Sequence, residues 1–314
     1  MNKLVFVALA LTGACSYGPL EGDSGYGPVS GTNSAWTIGL NDTAGSVFRL
    51  DSDGAHEVES FSGEGLTSIT ARSSDDVWAI GTSLHHYDGH TWTTTAMPSD
   101  PVFLIGDGWA IGVNGTIYDP ASFTALAGPD SHIDLVWQDV NPPSAWGDGP
   151  NDVWALAGAH LFHFTTAWTD VTPWTADESP QQLTGTSVND VWVSTFSGAM
   201  YRYDGASWTV VASGVTDALF AGMFAAASDD VWAVGYPDVV VHYNGNAWSA
   251  VAAPQILSCG EASNQACEDV GLNGVLATSA SDVWVTGYLQ QDPGGSPVLF
   301  HYDGTWHDLS DLGE

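Results

Sequence analysis

Asp and His side chains recur along the chain in a pattern that could serve acid–base catalysis or metal binding. Four His residues each stand directly before an aromatic residue: His86, His163, His242 and His301. Six Asp residues lie two positions before a Trp: Asp76, Asp107, Asp152, Asp190, Asp230 and Asp282.

A residue present in every copy of a repeat usually maintains the structure of that copy, because a bound ligand contacts only some copies. We therefore predict that the six Asp residues form turn hydrogen bonds and not catalytic pairs. Arg49 and Arg202 occupy the His slot in two further copies. Equivalent positions in separate copies lie too far apart to share one ion at the distance of about 2 Å that a His ligand requires. We predict that each His forms hydrogen bonds within its own copy.

The elements that must position these residues are seven copies of one unit. The best copy reads Asp-Val-Trp-Ala-Val-Gly at 230–235, followed by His-Tyr-Asn-Gly-x-x-Trp at 242–248. The mean spacing of the motif Trp residues is about 41 residues, and about 40 to 50 residues per copy is typical of four-stranded propeller blades. The motif Trp residues are Trp36, Trp78, Trp109, Trp154, Trp192, Trp232 and Trp284.

Each copy predicts four short strands, named A to D in chain order. Strand B carries the motif Trp, strand C ends at Tyr-Asp-Gly, and strand D begins at a second Trp. Asp-Gly between two apolar runs is a strong hairpin signal. The sequence therefore predicts an all-β fold, a seven-bladed β-propeller of four-stranded antiparallel blades, over residues 28–314. We expect an extended stretch at 29–32 to lie beside the last blade and close the ring.

Functional candidates are the departures from the repeat, because variable loops on a rigid scaffold commonly carry binding sites. Trp137, Trp146 and Trp174 fall outside the repeat, in or beside the fourth blade. We predict Trp137 on strand A of that blade and Trp174 on the D-to-A connection after it. Trp146 is predicted on the opposite side, between strands A and B.

We predict a ligand-binding site formed by Trp137, Trp174, Asp177 and Glu178, since exposed aromatic rings stack on sugars while carboxylates bind sugar hydroxyls. The D-to-A and B-to-C connections of a propeller share one face. The alternative is that Trp137 and Trp174 fill the larger fourth blade. Long insertions fall mainly on the face that carries the D-to-A and B-to-C connections: 173–182, 253–270 and 288–297.

The N-terminus has the pattern of an export signal. Lys3 precedes the apolar run Leu4 to Leu11, and small residues follow. The run is too short to span a bilayer. We predict a signal peptide at residues 1–14 and a flexible tether at 15–27.

Cys15 is the predicted anchor. The residues before it resemble a bacterial lipobox, in which the Cys is diacylated after cleavage, although Thr12 stands where Leu or Val is usual. We expect a lipid-anchored protein at a bacterial outer membrane or cell surface. Cleavage without lipidation, giving a periplasmic or secreted protein, is the alternative.

Cys259 and Cys267 are predicted to form a disulfide that closes a surface loop, because an exported chain meets an oxidising compartment. A metal site there is less favoured, since no Cys or His lies nearby at zinc-type spacing. Asp51-Ser52-Asp53-Gly54 begins like a calcium loop but also occupies a C-to-D turn. No motif requires a cofactor, and a bound calcium ion remains an alternative.

Net charge excludes one class of partner. The 314 residues include 37 Asp plus Glu and 4 Lys plus Arg, giving a formal charge of −33. A nucleic-acid binder needs clustered cations to replace phosphate counterions, so that class is excluded, and direct contact with anionic membranes is disfavoured. We expect a monomer that touches the membrane through its lipid anchor alone.

The phrases at 230–235 and 242–248 resemble repeats of poorly characterised bacterial surface lipoproteins built as β-propellers, over about residues 28–312. A more distant likeness to tectonin-type lectin propellers implies recognition of glycans or surface patterns. Sialidase Asp-box repeats differ, because no residue separates Asp204 from Gly205. We predict a non-catalytic, surface-tethered module that binds a glycan or a surface protein. The alternatives are a glycoside hydrolase or lyase on a propeller scaffold and a structural envelope component.

Overall fold

The computed structural model is all-β, and the residues that it describes form thirty strands. The residues it describes are 4–7, 14–15, 29–31, 34–41, 44–51, 54–97, 102–105, 109–119, 122, 124–128, 130, 133–135, 144–215, 218–236, 238–254, 270–289 and 296–310. Within these ranges the chain has no helix with the length and apolar character that crossing a membrane requires.

The strands form seven antiparallel sheets, which are the seven predicted blades. Two short strands come first: β1 (Leu4–Val7) and β2 (Ala14–Cys15). Blades one to three follow: β3 (Val29–Gly31), β4 (Ser34–Asn41), β5 (Ala44–Asp51), β6 (Gly54–Ser62); β7 (Ser68–Ser73), β8 (Asp76–Ile80), β9 (Ser83–Tyr87), β10 (Trp92–Ala96); β11 (Val102–Ile105), β12 (Trp109–Gly112), β13 (Ile117–Tyr118), β14 (Ala125–Ala127).

The remaining four blades repeat the same order of strands A to D, which confirms the predicted fold. They consist of β15 (Ser144–Gly149), β16 (Asp152–Ala157), β17 (His160–Phe164), β18 (Trp168–Asp170); β19 (Pro180–Ser187), β20 (Asp190–Thr195), β21 (Ala199–Tyr203), β22 (Trp208–Ala212); β23 (Leu219–Ala227), β24 (Asp230–Tyr236), β25 (Val239–Tyr243), β26 (Trp248–Ala250); β27 (Val270–Ser279), β28 (Asp282–Leu289), β29 (Ser296–Tyr302), β30 (Trp306–Asp308).

The first strand of each blade lines the centre of the ring. These seven strands contact one another in sequence, from β3 through β7, β11, β15, β19 and β23 to β27, and β27 contacts β3 again. Side chains join neighbouring blades there: the Ser68 hydroxyl accepts from the backbone N–H of Leu104 at 3.2 Å, and the Ser144 hydroxyl accepts from that of Leu183 at 3.2 Å. The inner ring is therefore hydrogen-bonded between blades as well as within them.

Blade one is completed differently from the prediction. β3 pairs with β4 as the inner strand of its own blade, with Val29 opposite Trp36, and it only contacts β27 of the last blade. The ring closes through this contact, because strands β27 to β30 already supply all four positions of blade seven. β1 pairs with the other half of β4. β2 pairs with β15, the first strand of blade four.

The motif Trp residues pack between neighbouring blades. Trp154 of blade four lies with its ring centroid 5.3 Å from Tyr203 and 5.9 Å from Trp208, both in blade five. Trp192 of blade five meets Tyr243 of blade six at 4.8 Å. These aromatic residues bury large areas. The second Trp of the repeat and the Tyr of strand C are therefore needed by the preceding blade.

The C-to-D turns explain the recurrence of Asp-Gly. Asp88 accepts hydrogen bonds from the backbone N–H groups of Thr91 at 2.8 Å and His90 at 2.9 Å, and these bonds hold the pKa of Asp88 below its usual value. Gly89 has φ +87°, and a Cβ there would lie 2.8 Å from the Cβ of Asp75 in the neighbouring A-to-B turn. Only Gly combines this backbone conformation with such close approach.

Candidate functional site

The recurring Asp and His residues are joined in structural clusters. In blade six, Oδ1 of Asp230 accepts from Trp232 Nε1 at 2.9 Å and from His242 Nε2 at 2.8 Å, and the His242 ring stacks on Trp232 at 4.1 Å. Blades two and four contain the same arrangement. The prediction that each His bonds within its own blade is confirmed. Asp76, Asp152 and Asp230 are structural as predicted, but their carboxylates bind side chains, since the motif Trp and the His both direct donors at them. Asp107 lies outside the described residues.

Blade five shows how the cluster accommodates a cation. Arg202 replaces His, its Nε donates to Asp190 Oδ1 at 2.9 Å, and its guanidinium lies 4.9 Å above the Trp192 ring. A further donation reaches the Ser228 carbonyl at 3.0 Å. An Asp–Trp pair of this chain therefore binds a guanidinium group by charge and by ring contact.

The predicted Trp residues lie elsewhere than expected. Trp146 is on strand A of blade four, opposite Trp154, and is 2 % exposed, so its placement between strands A and B was wrong. Every regular blade pairs the motif Trp with the residue six positions before the motif Asp, and Trp146 holds that position. Strand A begins at Ser144, so Trp137 precedes it and lies outside the described residues.

Trp174 does lie on the D-to-A connection, but its side chain is buried at 9 % exposure. Its Nε1 donates to the Ala159 carbonyl at 2.9 Å, and its ring meets Tyr201 of blade five edge-on at 5.4 Å. Because the ring and the N–H are both engaged, the geometry matches the alternative in which Trp174 fills the fourth blade.

The two predicted carboxylates differ in environment. Asp177 is exposed, whereas Glu178 is half-buried and accepts from the Ser197 hydroxyl at 2.8 Å. Desolvation, with the Glu178 charge nearby, raises the pKa of Tyr201. The structure thus gathers Glu178, Trp174 and Tyr201 beside the B-to-C turn of blade five, which confirms that D-to-A and B-to-C connections share a face.

A cleft lies between blades three and four. Its volume is about 450 Å³, which falls within the range of about 300 to 1,000 Å³ common for ligand pockets. Asp130 comes from the connection after strand D of blade three, and the other lining residues come from strands C and D of blade four. The cleft is lined by Asp130, His160, Phe162, Trp168 and Asp170.

Carboxylates dominate the polar lining of the cleft. Asp170 Oδ2 pairs with His160 Nδ1 at 2.9 Å, and both side chains are about half exposed. Burial alone would raise the pKa of Asp170, but hydrogen bonds from Thr172 and His160 together hold it below its usual value. Asp170 is therefore ionised at neutral pH. Trp168 Nε1 is already used, since it donates to the Gly115 carbonyl of blade three at 3.0 Å.

Sequence reasoning missed this cleft because its residues come from two blades. Asp170 gives no clear signal, because it stands two positions after the strand-D Trp, where blades two, five and six have Thr94, Val210 and Ala250 but blade seven has Asp308. His160, at the start of strand C, is a departure from the repeat, the criterion that selected Trp174.

A second cluster lies between blades one and two. His85 replaces an apolar residue of strand C, is 2 % exposed, and bonds Thr94 through Nδ1 at 3.0 Å and Glu64 through Nε2. Phe61 stacks on its ring at 3.6 Å. Burial lowers the pKa of His85, although Glu64 opposes the shift. The imidazole is enclosed on all sides, so we assign it to packing.

The candidate metal ligands are not gathered into a site. Within the described ranges, no group of three or more His, Cys, Asp or Glu side chains is arranged to hold a metal ion. Asp51 pairs with Gly54 across a hairpin turn, which supports the turn interpretation over a calcium loop. Cys259 and Cys267 lie outside the described residues, and their disulfide stays a prediction.

No family model and no curated protein matches the chain. Solved propellers do match: a structure of YCF48 bound to a D1 peptide has TM-score 0.59 and 14 % identity, over 97 % of this chain and 95 % of that one. A catalytically inactive virginiamycin B lyase from Staphylococcus aureus with quinupristin has TM-score 0.58 and 14 % identity, over 91 % and 96 %. The WD40 propeller domain of Doa1 has TM-score 0.54 and 12 % identity, over 91 % and 94 %.

Proposed function

We propose that this chain is an exported, non-catalytic binding module, tethered through Cys15 at a bacterial outer membrane or cell surface, that binds a glycan or another surface protein. The cleft between blades three and four carries the proposal. It combines a ligand-sized cavity with aromatic and carboxylate side chains, and it lies beside the fourth blade, where departures from the repeat concentrate.

The repeat itself supports a binding role over catalysis. Asp76, Asp152 and Asp230 are each hydrogen-bonded to a motif Trp and to a His, so these carboxylates serve the blades and are not free to transfer protons. Among the structural neighbours, YCF48 is seen with a D1 peptide, which supports a polypeptide as one class of partner for such a scaffold.

Ligand screening tests the proposal. The full-length chain carrying Cys15→Ser is applied to a glycan array and to an array of surface-protein fragments, and Asp170→Asn is compared with Asp148→Asn. Asp148 is exposed near the end of strand A of the same blade, so the control removes the same charge away from the cleft. Binding that Asp170→Asn weakens and Asp148→Asn preserves supports the site. Absence of binding on both arrays contradicts the function.

The second candidate is a lyase or glycoside hydrolase, which the likeness to virginiamycin B lyase favours. Product release from a panel of polysaccharides, or from quinupristin, would support it. Inactivity across the panel together with ligand capture would favour the binding module. A structural envelope component is favoured if neither capture nor turnover is detected.

The anchor has a separate test. Cys15→Ser is expected to move the protein from the membrane fraction to the soluble fraction of cells that export it, since one acylated residue provides the proposed tether. Unchanged membrane association of Cys15→Ser would contradict lipidation as the sole anchor.

A further inference from the structure

We propose that the inner edge of strand β4 in blade one, from Ile38 to Asn41, binds an extended segment of a partner protein as an added strand. This inference goes beyond the cleft, and it rests on one part of the proposed function, the removal of residues 1–14 on export. The segment that fits has a defined chemistry: four successive apolar residues in β conformation, the length of the strand that now pairs there.

Blade one has no continuous inner strand. In the other six blades the inner strand is a single segment of four to ten residues. In blade one, β3 pairs only with Ser34–Trp36, whereas β4 continues to Asn41. The rest of its edge pairs with β1, antiparallel, with Val7 opposite Ile38 and Leu4 opposite Asn41. The inner strand of blade one is therefore made of two separate pieces.

Removal of the leader opens half of this edge. β1 lies within residues 1–14, the predicted signal peptide. Without β1, the backbone N–H and C=O groups of β4 that bond to it lose their partners, and an unpaired edge is a template for a further strand. An added strand would restore these bonds beside Ile38, which is fully buried while β1 is in place.

The composition of β1 indicates which segment fits. It reads Leu-Val-Phe-Val, and it also contacts β29 of blade seven, so this edge lies where the ring closes. A strand that is covered on both faces is apolar at every position and not only at alternate ones. The inner strand of blade six, Leu219–Ala227, is likewise uncharged. The formal charge of −33 further disfavours an acidic segment.

The chain's own tether is a poor occupant of the edge. If β3 were extended towards its N-terminus in the same register, residues 24–27 would come opposite 38–41. These four residues read Ser-Gly-Tyr-Gly, and Pro28 follows them. Gly is depleted in strands, and Pro lacks the N–H that an interior strand donates. An apolar segment of a partner is therefore favoured.

The test uses the full-length chain with Cys15→Ser and Val5→Pro, because Pro within β1 disrupts its pairing with β4. The probe is a fluorescent peptide with the sequence of residues 2–9, and fluorescence anisotropy measures its binding. The peptide should bind at least about 10-fold more tightly than to the chain with Cys15→Ser alone, in which β1 competes as a tethered strand. Ala10→Pro is the matched control, since it leaves β1 intact and should keep binding weak.

Backbone methylation of the peptide distinguishes strand addition from apolar adhesion. One peptide carries N-methyl groups at Leu4 and Phe6, and the other carries them at Val5 and Val7. Successive residues of a strand direct their N–H groups to opposite edges, so only one of the two sets faces β4. One methylated peptide should bind at least about 10-fold more weakly than the parent, and the other should bind about as well as the parent.

Disulfide trapping locates the peptide in the observed register. Val5 pairs with Leu40, and directly opposite Cβ atoms lie about 4.5 to 5.5 Å apart. The chain with Leu40→Cys added should cross-link to a peptide with Val5→Cys. A peptide with Phe6→Cys should not cross-link, because its side chain points to the other face of the sheet. The chain without Leu40→Cys controls for the native cysteines, and urea unfolding checks that each variant retains the fold.

Three outcomes overturn the inference. Equal affinities of the Val5→Pro and Ala10→Pro chains, or equal effects of the two methylation patterns, exclude an added strand at this edge. If tight binding appears only when Gly25→Pro is also present, the tether is the occupant. In each case the proposed function stands if the arrays capture a ligand whose binding Asp170→Asn weakens. Strand binding without capture on either array supports the edge and contradicts the cleft.

Discussion

Replacing Asp230 by Ala is expected to cost about 2 to 4 kcal/mol of unfolding free energy, because one oxygen of this carboxylate satisfies two donors. Trp232 Nε1 lies 2.9 Å and His242 Nε2 lies 2.8 Å from Oδ1. A buried donor left without a partner costs about 1 to 3 kcal/mol. Trp232 is 1 % exposed and loses its partner fully. The His242 side chain is 17 % exposed, so water recovers part of its loss.

The isosteric variant separates hydrogen bonding from packing. Asp230→Asn keeps an acceptor oxygen at the position that both donors reach, and it loses only the charge-assisted part of the bonds, about 1 kcal/mol. Asp229→Ala is the matched control, since it removes an exposed neighbouring carboxylate and should change stability by less than about 0.5 kcal/mol. Asp76→Ala should cost less than Asp230→Ala, because its carboxylate is 31 % exposed against 15 %.

Urea titrations followed by Trp fluorescence and by far-UV circular dichroism give these free energies, provided that the two transitions coincide. A double-mutant cycle with His242→Ala isolates the Asp–His coupling. The proposed role of Asp230 is refuted if Asp230→Ala costs less than about 1 kcal/mol, or if Asp230→Asn costs as much as Asp230→Ala.

Two more measurements test a C-to-D turn and the buried His85. Gly245→Ala should cost about 2 to 3 kcal/mol of unfolding free energy, because the residue has φ +87° and an added Cβ would lie 2.8 Å from the Cβ of Asp229. Gly214 has a similar φ of +85° but open space around it, so Gly214→Ala should cost about 1 kcal/mol in the same urea titrations. Wild-type stability should fall as pH drops from about 7 to 5, because burial lowers the folded-state pKa of His85 and the unfolded chain therefore binds the proton first. His85→Gln should show a smaller slope over that range, and an identical slope would contradict the assignment.

The blades could be predicted from the sequence because their defining contacts are local. The motif Trp pairs with a residue of the adjacent strand, and the Asp-Gly turns bond within four residues, so each copy signals its own strands. Blade three is the exception in detail. It has no Tyr-Asp-Gly phrase, and its strand C contains only Ile117 and Tyr118. A degenerate copy still forms a blade, since its neighbours cover both of its faces.

The candidate site could not be predicted in the same way. Trp174 departs from the repeat, as a ligand-binding residue would, but it is buried against Tyr201 of the next blade. Departure from a repeat marks a position as special without showing whether it serves packing or binding. That distinction depends on which residues of the adjacent blade come into contact, and here Asp130 and Asp170 line the same cleft only because blades three and four pack together.

The cleft occurs beside blade three for a physical reason. Strand C of that blade is short, with two residues in β13 against five in β9, β17, β21 and β25. A strand that ends early leaves less cover for the facing side of blade four, where Phe162 and Trp168 lie. Trp168 is half-buried, as are its equivalents Trp92, Trp208 and Trp306, so the shortened neighbour and not an unusual ring distinguishes this cleft.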